Sequence, residues 1–262
     1  MANRGLSIEV DEVLVKDLGE SVELQVIYET SVFRVRKIRM KESDKLGGLG
    51  GPSRENIVVA LDGEVQVTDN LLPQPAKLGK KDVCYLPAYD PFEINKLSEE
   101  ALVIMAEAST DKRLSPYVKR FKEMPRIKSG YSTYQRWIYV AIGEQEQADH
   151  LLAGYTEGFK GNWTSFPPHK HDDKPEVFIY YGMGDGYALQ MLATNEKDEI
   201  YKVMDGDALI IEGGYHQNVA IPTCSINYLW VIYAQSYNRN LKIEVHPKFG
   251  SVPFGQTHMR AK

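Results

Sequence analysis

The chain has 262 residues, of which 43% are hydrophobic and 26% charged, and its formal net charge is -5. A chain of this length buries a core without staples, and its acidic balance argues against a nucleic-acid partner. No stretch reaches the roughly 20 apolar residues of a membrane helix, and the first residues lack the apolar core of a signal peptide. The two cysteines, Cys84 and Cys224, lie in apolar segments, where free thiols are commonly buried. We therefore expect a cytoplasmic protein without a membrane partner.

Short runs rich in β-branched and aromatic residues, separated by Gly, Pro, Asn and Asp, dominate the chain. In the first part they predict strands at 22–29, 32–40, 56–61, 65–68, 83–86 and 102–106. In the second part they predict strands at 135–142, 150–156, 177–181, 187–193, 199–204, 208–211, 226–233 and 241–245. Few segments have the 3.6-residue apolar period of a helix. Many short strands at regular spacing predict an all-β sandwich or barrel.

The segment 111–128 differs from its surroundings and predicts a connector that can contain one short helix. It contains seven Lys or Arg residues, two acidic residues and two prolines. On either side of it, a turn with Gly and Asp leads into a short apolar strand, which is a weak sign of a repeat. We expect two barrels in tandem, at residues 1–110 and 135–262, joined by a connector at 111–134.

Three of the six histidines fall into one pattern with a glutamate. Residues two apart on a strand point to the same face, so His169 and His171 face one point while Lys170 faces away. The run 172–175 resembles a turn, and it lets Glu176 begin the next strand facing the same cavity.

The fourth candidate ligand is His216, which follows a Gly-Gly-Tyr sequence whose glycines allow the backbone to swing the imidazole into a cavity. Three imidazoles and one carboxylate suit Zn, Fe, Mn, Ni or Co, and the ligand types alone do not choose among them. We expect one divalent metal per chain, with zinc favoured. No histidine precedes His150, so the first barrel is expected to lack a similar site and to be structural or dimerising.

The order of these residues resembles the two cupin motifs, with a Gly, a His-x-His, four residues, a Glu and a later Gly-x-His. The segment 161–172, Gly-Asn-Trp-Thr-Ser-Phe-Pro-Pro-His-Lys-His-Asp, resembles the signature of the 5-deoxy-glucuronate isomerases of inositol catabolism. Those enzymes are grouped with the 5-keto-4-deoxyuronate isomerases in one bicupin superfamily. Shorter similarities at 150–154, 187–190, 205–207 and 214–216 extend the resemblance over the second half, and 58–65 matches loosely.

The resemblance implies an all-β bicupin of two tandem jelly-roll barrels, a metal at the four residues named above and assembly into a homo-oligomer. It also implies aldose–ketose isomerisation of a uronate-like sugar acid, in which a base moves a proton between adjacent carbons. Candidates for the base are a hydroxide on the metal, Glu176 and Tyr180. Gln190 and Tyr228 are candidates for binding the substrate, because their strand positions allow them to face the cavity. No inward-facing Lys or Arg stands out as a partner for the carboxylate.

Two other functions remain open. A dioxygenase would use the same ligands with Fe(II), and a sugar-binding cupin would keep the fold without catalysis. The sequence also differs from the family pattern at three places. The loop between His171 and Glu176 is short. Glu212 stands where cupins usually have Pro, and Trp230 stands where a smaller polar residue is expected. These differences are expected to remodel the pocket.

Overall fold

A computed structural model describes residues 13–19, 23–171 and 174–254. Within these ranges the chain forms 22 β-strands and four short 3₁₀ turns, and no helix there is long and apolar enough to cross a membrane. The strands are β1 Leu14–Val15, β2 Leu24–Glu29, β3 Phe33–Met40, β4 Lys45–Leu49, β5 Arg54–Asp62, β6 Val65–Thr68, β7 Ala76–Leu78, β8 Val83–Leu86, β9 Phe92–Lys96, β10 Ala101–Ser109, β11 Tyr117–Lys119, β12 Arg126–Ser129, β13 Arg136–Ile142, β14 Leu151–Gly158, β15 Trp163–Lys170, β16 Glu176–Tyr180, β17 Ala188–Ala193, β18 Asp198–Val203, β19 Ala208–Ile211, β20 Tyr215–Ala220, β21 Asn227–Tyr233 and β22 Glu244–Val245. The 3₁₀ turns are Phe121–Glu123, Ser132–Tyr134, Ser236–Asn238 and Pro247–Phe249.

The strands form four antiparallel sheets that pair into two sandwiches. The first sandwich joins a six-stranded sheet, ordered β11-β8-β5-β10-β3-β2, to a four-stranded sheet, ordered β4-β9-β6-β7. The second joins a seven-stranded sheet, ordered β1-β19-β16-β21-β14-β13-β12, to a five-stranded sheet, ordered β18-β17-β20-β15-β22. The predicted fold class, an all-β bicupin of jelly-roll type, is therefore confirmed.

The two large sheets also pack against each other and form a third core between the sandwiches. Val59 of β5 and Val231 of β21 lie in this shared core. Their strand neighbours point the other way, Val58 into the first sandwich and Trp230 into the second. Because both faces of these central strands are buried, their sequences are continuous apolar runs and do not alternate with polar residues.

Contacts between distant parts of the chain connect the sandwiches at their edges. The segment Leu14–Val15 adds a strand to the sheet of the second sandwich by pairing with β19. Lys37 of β3 lies 2.6 Å from Asp17, which follows that segment. Tyr28 of β2 donates a hydrogen bond to Glu212 at 2.7 Å, which places Glu212 at the junction of the two sandwiches. The expected division into 1–110, 111–134 and 135–262 stays a prediction.

The Glu55 carboxylate, which is 0% exposed, joins the two sandwiches near the middle of the molecule. It accepts hydrogen bonds from the backbone amides of Asp149 (2.8 Å), His150 (2.7 Å) and Leu151 (3.0 Å) at the start of β14. Its fourth hydrogen bond comes from the Tyr85 hydroxyl at 2.7 Å. One carboxylate of the first sandwich thus satisfies three successive backbone donors of the second, and hydrogen bonds to a charged acceptor are among the strongest in proteins.

Replacement of Glu55 is expected to destabilise the whole molecule. Glu55→Ala leaves three buried amides without an acceptor, so the free energy of unfolding should fall by about 3–5 kcal/mol. Equilibrium urea denaturation measures this change. Glu64→Ala removes an exposed carboxylate from the same sandwich and should change stability by no more than about 0.5 kcal/mol. A loss below about 1 kcal/mol in Glu55→Ala would contradict the role assigned to this carboxylate.

Candidate metal centre

The four candidate ligands reach one point inside the second sandwich from both of its sheets. His169 lies near the end of β15, and His171 follows the last residue of that strand. His216 lies on β20, the neighbour of β15 in the five-stranded sheet, and its Cα is paired with that of His169. Glu176 is the first residue of β16 in the opposite sheet, as expected from the turn-like run before it. The site therefore depends on how the two sheets pack.

The side chains approach one another closely and are all buried. One ligand atom from each of His169, His171 and His216 lies within 4.8 Å of the others, and this cluster could hold a metal ion. Glu176 Oε2 lies 3.8 Å from His171 Nε2 and 3.5 Å from His216 Nε2. The structure thus brings together all four residues that the sequence singled out.

The donor atoms at the centre of this cluster have no protein partner. Nδ1 of His169 lies 2.9 Å from the Pro167 carbonyl oxygen; donation through Nδ1–H leaves the lone pair on Nε2. Nε2 of His171, Nε2 of His216 and Oε2 of Glu176 are buried and lack a hydrogen-bond partner among the described residues. Because buried polar atoms are normally paired, these donors fit a divalent transition metal.

Burial sets the protonation states of the cluster. It lowers the pKa of His169 to about 4 and of His171 to about 3, and it lowers the pKa of His216 well below its ordinary value. Burial raises the pKa of Glu176 to about 8. At neutral pH the three imidazoles are therefore neutral and able to coordinate, whereas the carboxyl of Glu176 is protonated until a cation displaces its proton.

The cavity at the cluster is small. Its volume of about 20 Å³ leaves room for roughly one water-sized occupant. Beside the four clustered residues, its walls are formed chiefly by Arg136, Thr156, Ser165, Phe178, Tyr228 and Trp230.

The other residues proposed from the sequence differ in their relation to this cavity. Tyr228 lines it, with its hydroxyl 2.8 Å from Ser165 Oγ. Tyr180 and Gln190 are outside the set of described residues that line it. The Tyr180 hydroxyl donates to Gln190 Oε1 at 3.0 Å, and the same oxygen accepts from Asn218 Nδ2 at 2.8 Å. Burial raises the pKa of Tyr180 well above its ordinary value, which disfavours the tyrosinate that a base would need.

Two lining residues were missed or undervalued by the sequence analysis. Arg136 lies at the start of β13 and is 3% exposed. It is two and four residues before Ile138 and Val140, which face the interior of the second sandwich. This spacing along the strand is the sequence signal that could have identified Arg136. Trp230 was noted only as a departure from the resembled pattern. It occupies space left by Gly154, where an added Cβ would lie 2.2 Å from Trp230 Cζ2. Its buried Nε1 has no hydrogen-bond partner in the described part of the chain.

Two tandem jelly-roll sandwiches, with a buried three-histidine cluster and a carboxylate inside the second, define the chain as a bicupin. The model of the KduI/IolB family matches residues 18–252. The chain therefore belongs to the KduI/IolB family, as the resemblance around 161–172 implied.

Curated relatives support this membership at modest identity. The chain is 30% identical over 162 residues to a 5-deoxy-glucuronate isomerase of Geobacillus kaustophilus, a match covering 56% of this chain and 57% of the relative. It is 27% identical over 195 residues to the 5-deoxy-glucuronate isomerase of Bacillus subtilis, covering 67% of this chain and 71% of that one. The first match thus spans less than two thirds of the relative.

Solved structures support the fold. An IolB-like protein from Salmonella typhimurium superposes with a TM-score of 0.77 at 18% identity, covering 91% of this chain and 98% of that chain. A mutant of Bacillus subtilis oxalate decarboxylase superposes with a TM-score of 0.61 at 12% identity, covering 78% of this chain and 69% of that chain. At these identities the likeness concerns the fold alone.

Removal of one clustered histidine is expected to abolish stoichiometric metal binding. The protein should bind one divalent ion per chain, and His216→Ala should lower that ratio to below about 0.2, because three donors remain in a cavity shaped for four. Elemental analysis after dialysis measures the ratio. His246→Ala removes a histidine outside the cluster and should keep the ratio near one. An unchanged ratio in His216→Ala would refute the four-residue site.

Metal binding is expected to release protons from Glu176. Because burial raises the pKa of Glu176 to about 8, zinc binding at pH 7 should release about one proton per ion, falling toward zero above pH 9. Calorimetric titration of chelator-treated protein in buffers of different ionisation enthalpy counts these protons. Glu176→Gln should release about one proton fewer at pH 7. Equal release by the variant and the unaltered protein would show that Glu176 is already ionised.

Proposed function

We propose that the chain is a metal-dependent aldose–ketose isomerase acting on a uronate-like sugar, with its metal at His169, His171, Glu176 and His216. The observation that carries this proposal is the buried donor set, whose central atoms lack partners among the residues that the structure describes. The family and the names of the curated relatives favour 5-deoxy-glucuronate as the type of substrate. Zinc is our first choice of metal, since moving a proton between carbons needs no redox change.

The reaction requires the sugar in its open-chain form, with a carbonyl and a hydroxyl on adjacent carbons. When bound, a divalent metal would supply Lewis-acid polarisation of these two oxygens. The three neutral imidazoles would hold the position of that ion, and the Glu176 carboxylate would offset part of its charge. The small volume and burial of the cavity limit the water around it, which strengthens each of these electrostatic interactions.

Glu176 is the better candidate for the base that moves the proton. Its carboxyl group lies in the cavity, and a bound cation would keep it ionised and therefore able to accept a proton. Tyr180 is less suitable, because its hydroxyl is hydrogen-bonded to Gln190 and burial raises its pKa. Ser165 and Tyr228 share a hydrogen bond of 2.8 Å in which either can donate, so this pair can exchange a proton with a sugar oxygen in the cavity.

A six-carbon sugar acid does not fit a cavity of about 20 Å³. Substrate binding therefore requires movement of lining side chains. We propose that the conformation described here is a closed one, in which the metal-binding groups are shielded from solvent.

Isotope incorporation separates this function from the other functions open to a metal cupin. With 5-deoxy-glucuronate in D₂O, the zinc-loaded protein should form a ketose that carries deuterium at C1, because the base exchanges its proton with solvent between abstraction and return. Mass spectrometry and NMR of the product measure the label. His216→Ala should lower kcat/KM by more than about 100-fold, and His246→Ala should stay within about threefold.

Oxygen uptake and simple binding are the contradicting outcomes. Stoichiometric consumption of oxygen would indicate a dioxygenase. Saturable binding of the sugar acid without any turnover would indicate a binding protein. Ketose formed without deuterium would keep the isomerase assignment but exclude a base that exchanges with solvent.

A further inference from the structure

The cavity of the candidate metal centre contains a buried cation that takes no part in the proposed proton transfer. Arg136 lines this cavity together with His169, His171, Glu176 and His216. We propose that Arg136 binds the carboxylate of the sugar-acid substrate and so selects acids over neutral sugars. This inference rests on the proposed function, because it assigns a substrate group within the same site.

The hydrogen bonds of Arg136 leave its charge without an anionic partner. Nη1 donates to the carbonyl oxygens of Phe166, at 2.8 Å, and Tyr134, at 3.3 Å. Both acceptors are neutral backbone groups. Over the ranges that the structure describes, no carboxylate forms a salt bridge with Arg136, and neither Nε nor Nη2 takes part in a hydrogen bond.

Two cations of the first sandwich, Lys37 and Arg36, are paired with acids. Lys37, 2% exposed, lies 2.6 Å from Asp17 Oδ1. Arg36 lies 2.7 Å from Glu107 Oε2. Burial of an unpaired charge is costly, and a group of this kind persists where an anion is to be bound. Among the described residues Arg136 has no acidic partner, and an external carboxylate would supply one.

The electrostatics of the cavity also favour an anion. Arg136 lines the same cavity as the three histidines and Glu176, so its positive charge lies beside the candidate metal cluster. Three neutral imidazoles, one carboxylate and a divalent ion would leave the site positive before Arg136 is counted. A small, water-poor cavity with a surplus of positive charge attracts anionic ligands.

The shape of the guanidinium fits this role. The two carbonyl contacts hold Nη1 in place, and the remaining N–H groups can form the bidentate hydrogen bonds that arginine makes with carboxylates. Trp230 Nε1, another buried donor without a partner, lines the same cavity and can bind a sugar oxygen. A site whose donors are satisfied only by an acid rejects the neutral analogue strongly, because the donors then stay unpaired.

The test compares an acid and a neutral sugar of the same skeleton. Zinc-loaded protein is titrated with D-glucuronate and with D-glucose by calorimetry, and zinc content is checked in every sample. The unaltered protein should prefer glucuronate. Arg136→Gln should weaken glucuronate binding by about 30-fold or more and change glucose binding by less than about threefold.

The matched control is Arg126→Gln, which removes an exposed guanidinium from β12, the neighbouring strand. Arg126 stacks on the Trp137 ring at 3.7 Å and lies outside the set of described residues that line the cavity. This variant should bind both sugars as the unaltered protein does. If Arg136→Gln does not fold or loses zinc, Arg136→Lys provides the test. One ammonium cannot replace both the carbonyl contacts and a two-pronged contact, so the lysine variant should lose at least about tenfold of the preference.

Three results would overturn the inference. The first is that the unaltered protein shows no preference for glucuronate. The second is that Arg136→Gln loses affinity for both sugars equally, which indicates a purely structural role. The third is that Arg136→Lys keeps the full preference for glucuronate. These outcomes are distinct from failure of the proposed function. If the protein turns over as an isomerase and Arg136→Gln has the same KM as the unaltered protein, the proposed function is supported and the inference about Arg136 is wrong. If binding of the sugar acid depends on Arg136 but no turnover occurs, the inference about Arg136 is supported and the proposed function is wrong.

Discussion

The removal of four polar side chains from water is the constraint on which the candidate site depends. His169, His171, His216 and Glu176 are each at most 5% exposed and share a cavity inside an apolar core. Desolvation is the main cause that keeps the imidazoles neutral and makes the carboxyl resist ionisation. A divalent cation can satisfy the imidazole lone pairs and the carboxylate together, so the same burial that costs free energy also favours a metal.

The rest of the fold holds this arrangement in place. The ligands come from opposite sheets, so their geometry is only as rigid as the packing of those sheets. The seven-stranded sheet is buried on both faces, by the interior of the second sandwich on one side and by the shared core on the other. Glu55 adds polar contacts across that core by accepting hydrogen bonds from three successive backbone amides, two just before β14 and one at its first residue. The first sandwich thereby supports the wall that carries Glu176, although it has no histidine of its own.

The fold does not choose the reaction. Superposition on both an IolB-like protein and an oxalate decarboxylase shows that the same scaffold occurs in differently named proteins. What distinguishes this chain lies in the walls of its cavity. Within the described part of the chain, Arg136 adds a cation without an anionic partner, and Trp230 adds bulk and an unpaired donor. These groups make the site selective for an acidic ligand of limited size in our proposal.

Local sequence patterns determined the strands with a strong apolar signal and the order of the candidate ligands. The bounds of β6, β8 and β19 agree with those expected, and Glu176 begins a strand after the turn-like run. Cys84 and Cys224 are buried and unbridged, as expected. By contrast β4 was missed, because its Lys-Leu-Gly-Gly-Leu sequence lacks strand propensity and is held by pairing with β9.

Only the tertiary structure decided which inward-facing residues share the cavity. Strand parity assigns a side chain to a face, but its depth along the sandwich depends on the register between strands that are distant in sequence. The side chains of Glu176 and Tyr180 point to the same side of β16. Tyr180 lies at the other end of that strand, however, and its hydroxyl is hydrogen-bonded to Gln190. Arg136 enters the cavity because β13 is in register with β14 and packs opposite β15. These registers are set by packing and hydrogen bonds across the sheets, which no local pattern of residues encodes.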